Sequence, residues 1–244
     1  MAALAAGAAN AVAGGGTVIS FPALVWLGLP PVLANTTNAV GLWSGSAAGA
    51  WGYRRRLGSL DRRWLWLALP ALVGGAAGAW LLANLPASWF GYIAPFMVIG
   101  ASLLIAIEPF VRSHLRALAA AGGRAGSATA VAWVLLASVY GGYFGAGIGL
   151  LLLVALAVLG LDDLHVANGL KNLLVVGLKG VAVAYFVAVG ILHWPAALIM
   201  VVGSTAGGWG SAFLAQKVEG ETLRWIVVAV GMAMGLVMVV RAYL

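Results

Sequence analysis

Apolar residues run through almost the whole chain and are interrupted only by short polar breaks. Eight apolar segments result, at residues 4–27, 32–53, 64–83, 89–111, 129–159, 165–189, 194–215 and 224–243. Most have the ~20-residue length that a helix needs to cross the hydrocarbon core of a bilayer. Trp51, Trp64, Trp66, Trp89, Trp194 and Trp225 fall at segment ends, where an amphipathic ring favours the headgroup level, so they are expected as interfacial anchors. The longest polar breaks, RRRLGSLDRR at 54–63 and RSHLRALAAAGGR at 112–124, carry five and three Arg and are expected on the cytoplasmic side. The predicted fold class is an all-α polytopic membrane protein.

Composition sharpens this picture. Of 244 residues, 64% are hydrophobic and only 8% charged, with a mean hydropathy of +1.06, against about 25% charged in a water-soluble domain. Lipid is therefore the expected solvent and first partner, and residues 1–244 are expected to form one transmembrane domain. The net charge of +7 comes from Arg in links and near the end, which orients the chain in the membrane and predicts no nucleic-acid partner. Without Cys, disulfides, thiolate metal sites and a Cys nucleophile are excluded. His114, His165 and His193 lack ligand spacing, so neither metal nor cofactor is expected. The start, MAALAAGAANAVAGGG, has no basic n-region and is expected to be a membrane segment rather than a signal peptide.

The two halves resemble each other. FPALVWLGLPPVLANTTN lies over LVALAVLGLDDLHVANGLKN with Gly28 on Gly160 and, after one inserted residue, Asn35 on Asn168; GGAAGAW at Gly74 lies over GSTAGGW at Gly203. The offset stays near 130 residues. Two homologous repeats of four apolar segments are predicted, residues 1–116 and 129–244, joined by a basic link at 117–128. Many secondary transporters have this organisation.

Glycine clusters interrupt the first segment of each repeat, AGGGTVISFP at 13–22 and GGYFGAGIG at 141–149. As one helix, residues 129–159 would measure about 46 Å at 1.5 Å per residue, well beyond a ~30 Å core, so two half-helices meeting at a break are expected. If each broken segment returns to the side it entered from, each repeat has three spans and the repeats are inverted. That topology leaves ten Lys and Arg inside and one outside, against nine and two for parallel repeats, so charge hardly discriminates; the length of the second broken segment favours inversion.

A broken helix at membrane depth is tolerated where it is buried or lines a cavity, so the breaks mark the candidate site. New half-helices should start near Thr17 and Ile148, with free amides and a positive dipole end that attract anions. Gly15, Gly16, Gly147 and Gly149 are candidates for close approach of backbone to ligand, and Thr17 and Ser20 add hydroxyls; Thr17 as an ordinary N-cap is an equal alternative. Lys171 and Lys179 lie inside one apolar segment, each at an insertion cost of about 2.5–3.5 kcal/mol at a helix centre, with no acid in the interior of another segment to neutralise them; Glu108, followed by Pro109, comes close but lies near a segment end. An anion that enters the bundle is the expected partner, unless the lysines snorkel. Asn168 and Asn172 flank Lys171, and Asn35, Thr37 and Asn38 occupy the equivalent stretch of the first half; such neutral donors suit an oxyanion, or else bond helix to helix. Lys171, beside two Asn and aligned with Asn38, ranks first; Lys179 has only apolar and Gly neighbours in sequence and is a candidate for snorkelling.

The run GGGTVISFPALVWLGLPPVLANTTN, a following basic YRRR turn and a GGAAGA segment together resemble the TauE/SafE-type sulfite exporter family, also called the 4-toluene sulfonate uptake permease family, over nearly the whole chain. Gly14, Gly15, Gly16, Pro22, Gly28, Ala34 and Thr37 meet its first-half pattern, and Gly145, Gly147, Gly149, Gly160, Ala167 and Lys171 the second, which lacks a proline after the glycines and holds Ala146 within the cluster. The resemblance implies transport of sulfur oxyanions or organosulfonates such as sulfite, sulfoacetate or taurine-derived products, without an ATPase domain.

The leading expectation is a secondary transporter of the cytoplasmic (inner) membrane for a small sulfur oxyanion, organosulfonate or carboxylated anion. Efflux is favoured if transport is uncoupled, because an interior-negative potential drives anions outward by about 2.3 kcal/mol per charge per 100 mV. Competing readings are an uptake permease for a related carboxylated anion and a membrane scaffold or accessory subunit without substrate. An enzyme is not expected, given so few His and acidic residues. The sequence sets no oligomeric state.

Overall fold

Each glycine cluster ends one short helix and begins another. A computed structural model describes residues 2–13, 15–52, 62–120, 127–159, 161, 164–214 and 220–243. The first half of the chain contains α1 (Ala2–Ala13), α2 (Gly16–Trp26), α3 (Pro31–Gly52), a 3₁₀ helix (Arg62–Leu67), α4 (Ala68–Asn84) and α5 (Ala87–Ala120). The second contains α6 (Ser127–Tyr143), α7 (Ile148–Val158), α8 (Leu164–Val189), α9 (Trp194–Leu214) and α10 (Gly220–Tyr243). Gly14, Gly160, Lys217 and most of the 54–63 link lie outside the described residues. Among the described residues, four stretches are long and apolar enough to cross a bilayer, Trp64–Asn84, Ala87–Val111, Val166–Val189 and Arg224–Tyr243, while Gly16–Trp26, Val131–Tyr143, Ile148–Val158 and Trp194–Gly207 are shorter.

The broken segments double back rather than continue. A Cβ on Gly16 would lie 2.5 Å from the Ala6 carbonyl oxygen, although ten residues of continuous helix advance about 15 Å. In the second repeat a Cβ on Gly141 would meet Ile148 Cγ1 at 3.0 Å. Both half-helices close with the same hydrogen bond: Leu29 N donates to Leu24 O and Leu161 N to Leu156 O, at 3.2 and 3.1 Å, satisfying carbonyls that a helix end otherwise leaves unpaired. Pro31 then opens α3 at a position where its missing N–H costs nothing.

Helix partners recur between the halves. Half-helix α1 packs on α9 as α6 packs on α4; α3 meets α9 as α8 meets α4; α2 meets α10 as α7 meets α5; and α3–α8 and α5–α10 pair across the halves. Small residues permit this, because apolar helices in lipid gain by close packing rather than by escaping water. On α4, a Cβ at Gly74 would come within 2.6 Å of Leu135 O and one at Gly75 within 2.5 Å of Leu178 O, and at Gly78 it would collide with Val139 O. The aligned stretch of α9 does the same to α1: a Cβ on Gly203 would fall 2.6 Å from Ala3 Cβ, and one on Gly207 would collide with Leu4 O.

Two local expectations are corrected. Trp64 is buried within the cluster of Leu67, Leu152 and Leu156 rather than exposed as an interfacial anchor, whereas Trp66, Trp89, Trp194 and Trp225 are exposed; Trp64 lies inside the 3₁₀ helix Arg62–Leu67, which turns Trp64 and Trp66 to different environments. The fourth apolar run ends at 111, yet α5 continues to Ala120, because nothing in RSHLRALAA breaks a helix before Gly122.

Candidate functional site

The N-termini of α2 and α7 define the site. Gly15 is the N-cap of α2 and Gly147 that of α7, neither with a side-chain cap. Thr17 is therefore the second residue of its helix, buried at 3% exposure, and not its cap. The two caps reach the same turn of α5: a Cβ on Gly15 would meet Ile105 Cδ1 at 2.8 Å, and one on Gly147 would meet Leu104 Cδ1 at 3.6 Å. Two positive dipole ends, each with leading amides that lack intrahelical partners, thus face one region between the halves.

The two caps are built differently. Gly147 has φ 73° and Gly145 φ 81°, conformations that cost an L side chain about 1–2 kcal/mol. Gly15 has φ −100°, a conformation that other residues also adopt. Tyr140 Oη donates to Ala146 O at 2.7 Å and pins the second turn. Edge-to-face rings bridge the breaks, Phe21 to Phe144 at 5.4 Å and Phe90 to Tyr143 at 5.5 Å.

Helix α8 sets both lysines beside the second break. A Cβ on Gly149 would lie 3.5 Å from Lys171 Cδ and 3.9 Å from its Nζ; one on Gly145 would lie 3.3 Å from Lys179 Cε and 3.6 Å from its Nζ. The ammonium groups so bracket the cap at Gly147. Lys171 is half-buried and donates to Asn168 Oδ1 at 3.1 Å. Lys179 is 6% exposed. Snorkelling, which the sequence allows for Lys179, does not occur: it sits about 20 Å and 15 Å along α8 from the ends of the Val166–Val189 span, and its side chain stays inside. Sequence context ranks Lys171 first; burial reverses that order. Asn172 is half-buried on α8, one residue beyond Lys171.

The polar residues of α3 hold the halves together. Asn35 Nδ2 donates to Tyr143 O at 2.8 Å, tying α3 to the end of α6, while its Oδ1 is buried without a partner. Ser20 Oγ meets Asn38 Oδ1 and the Gly16 carbonyl, linking α3 to the start of α2. Thr37 Oγ1 accepts from His193 N at 3.1 Å, so Thr37 serves the turn before α9 rather than the breaks. Asn10 Nδ2 donates to Ser46 Oγ at 3.4 Å, and Ser46 occupies in the first repeat the position of Lys179 in the second. Sequence reading passed over Tyr140, Phe144 and Asn10; a lone Asn in an apolar helix, and two aromatic residues flanking GGY, were the available signals.

Comparison with known proteins agrees with this architecture. The chain is 26% identical over 239 residues to a probable membrane transporter protein ORF9 of Sinorhizobium, covering 97% of this chain and 89% of the relative. It is 26% identical over 226 residues to a probable membrane transporter protein of Haemophilus influenzae, covering 88% and 82%. It is 27% identical over 238 residues to the probable membrane transporter protein YfcA of Escherichia coli K12, covering 95% and 85%. No solved structure matches. The family profile of the sulfite exporter TauE/SafE matches residues 1–238, and with nearly its full length matched, this multi-pass membrane chain belongs to the TauE/SafE sulfite exporter family.

Proposed function

We propose that this protein is a secondary transporter that exports a small sulfur oxyanion or organosulfonate, such as sulfite, across the cytoplasmic membrane. The observation that carries the reading is Lys179: a buried cation at mid-span, beside the cap of a half-helix whose dipole end is also positive. Such a residue is costly unless an anion compensates it, and Lys179 has no ion pair among the described residues. In this reading the amides at Gly16, Thr17 and Gly149 and the ammonium groups of Lys179 and Lys171 receive the oxyanion, Asn168 and Asn172 orient it from α8, and Asn35 and Asn38 hold the two breaks in register. The reciprocal partners α1–α9 and α6–α4, together with the doubled-back half-helices, support inverted repeats that rock about this point to give alternating access. Efflux follows from an interior-negative potential acting on an uncoupled anion.

Purified protein should be stabilised against heat by one or more of sulfite, thiosulfate, sulfoacetate and sulfate but not by chloride, and the stabilising anion should leave proteoliposomes faster when the interior is negative. Stabilisation by none of them, with no flux, would leave a membrane scaffold as the better reading.

A further inference from the structure

Two buried side chains of opposite need lie against the second break at positions two residues apart, Lys179 beside Gly145 and Asn35 on the Tyr143 carbonyl. Lys179, beside Gly145, makes no hydrogen bond or ion pair among the described residues. Asn35, 2% exposed, bonds Tyr143 O through Nδ2 and leaves Oδ1 buried and unpaired. The amide cannot be turned to relieve this, because Oδ1 would then oppose the Tyr143 carbonyl, acceptor against acceptor. An anion satisfies the lysine and does nothing for Asn35. A buried acceptor is costly to leave bare, and what it lacks is a hydrogen.

We propose, resting on the transport reading above, that the second break recognises a monoanion carrying its own O–H: the negative oxygens go to Lys179 and the α7 amides, and the hydroxyl donates to Asn35 Oδ1. A hydroxylated sulfonate meets this description, as does a singly protonated oxyanion; a fully deprotonated dianion and a plain alkyl sulfonate do not. The cation fixes the charge of the substrate and Asn35 selects its donor. The pair is not repeated in the other half among the described residues, since Asn168, aligned with Asn35, accepts from Lys171 at Oδ1, and Ser46, aligned with Lys179, is engaged by Asn10. One ligand is therefore gripped mainly from the second half.

The test compares ethanesulfonate with its terminal-hydroxyl analogue isethionate, two monoanions of similar size, by calorimetry and by counterflow in proteoliposomes. Wild-type protein should bind isethionate about tenfold or more tightly than ethanesulfonate, the worth of one buried hydrogen bond. In Asn35→Leu the ratio should fall to about one, whatever the absolute affinities become. Equal affinity for the two anions in the wild type would overturn the proposal while leaving anion transport standing. An undiminished preference in Asn35→Leu would remove Asn35 from the role. Should that variant fail to insert, the wild-type ratio still decides. Loss of all anion binding in the wild type would instead strike the transport reading itself, as would unaltered sulfite binding in Lys179→Gln.

Discussion

Replacing Lys179 by Met should make the empty protein more stable and the transporter inactive. The side chain is buried at mid-span, between Gly145 and the body of α8, with no carboxylate against it among the described residues. A lysine at a helix centre costs about 2.5–3.5 kcal/mol on insertion scales, and Met has similar length and packs irregular apolar gaps well, so most of that cost should be recovered. For a chain of this size each kcal/mol is worth roughly 2–4 °C in melting temperature, which places the expected rise at several degrees. Anion affinity should move the other way: a hydrogen bond to a charged group contributes about 1.5–3 kcal/mol, so its loss weakens binding roughly tenfold to a hundredfold. The parallel variant Lys171→Met is the internal control. Lys171 is half-buried, bonded to Asn168 and near the start of α8, so its removal should change the melting temperature less. The assay is thermal unfolding of detergent-purified protein with and without sulfite, alongside sulfite flux. A Lys179→Met protein that melts no higher than wild type and still gains stability from sulfite would refute the assignment of an uncompensated cation to this position.

Other consequences follow from the same contacts. Gly78→Ala should lower the melting temperature by several degrees, because the new methyl meets the Val139 backbone, whereas Gly100→Ala, with open space around it, should hold or raise it by up to about 1 kcal/mol of helix propensity; parallel melts of the two variants decide. Gly147→Ala should cost about 1–2 kcal/mol at its positive φ and slow flux, while Gly15→Ala, meeting only the tips of Ile105 and Val227, should keep both stability and flux near wild type. In this Cys-free chain, cysteines placed at 58 and 217 should react with an impermeant reagent from the same side if the repeats are inverted; labelling from opposite sides would establish parallel repeats.

Much of the fold is written along the chain, because lipid enforces a simple rule: a backbone that cannot bond to water must bond to itself. Apolar length alone therefore places α3, α4, α8, α9 and α10 within a few residues, and the glycine clusters mark both breaks, since Gly15 and Gly147 cap the half-helices close to where a break in periodicity puts them. The alignment of GGAAGA with GSTAGG likewise anticipates two stretches that make equivalent close contacts. Residues adjacent in sequence do not, however, specify what they meet in space. Asn168 and Asn172 drew attention to Lys171, yet it is Lys179, with only apolar neighbours along the chain, that the fold buries against Gly145, a residue more than thirty positions away. Trp64 reads as an interfacial anchor and is core; Thr17 reads as a cap and lies inside its helix; Asn35 reads as one of four similar polar residues and alone keeps a bare acceptor. Each of these turns on which helix packs against which, and that is settled by small-residue surfaces that let helices of the two halves approach closely, a property of pairs that no single stretch of sequence contains.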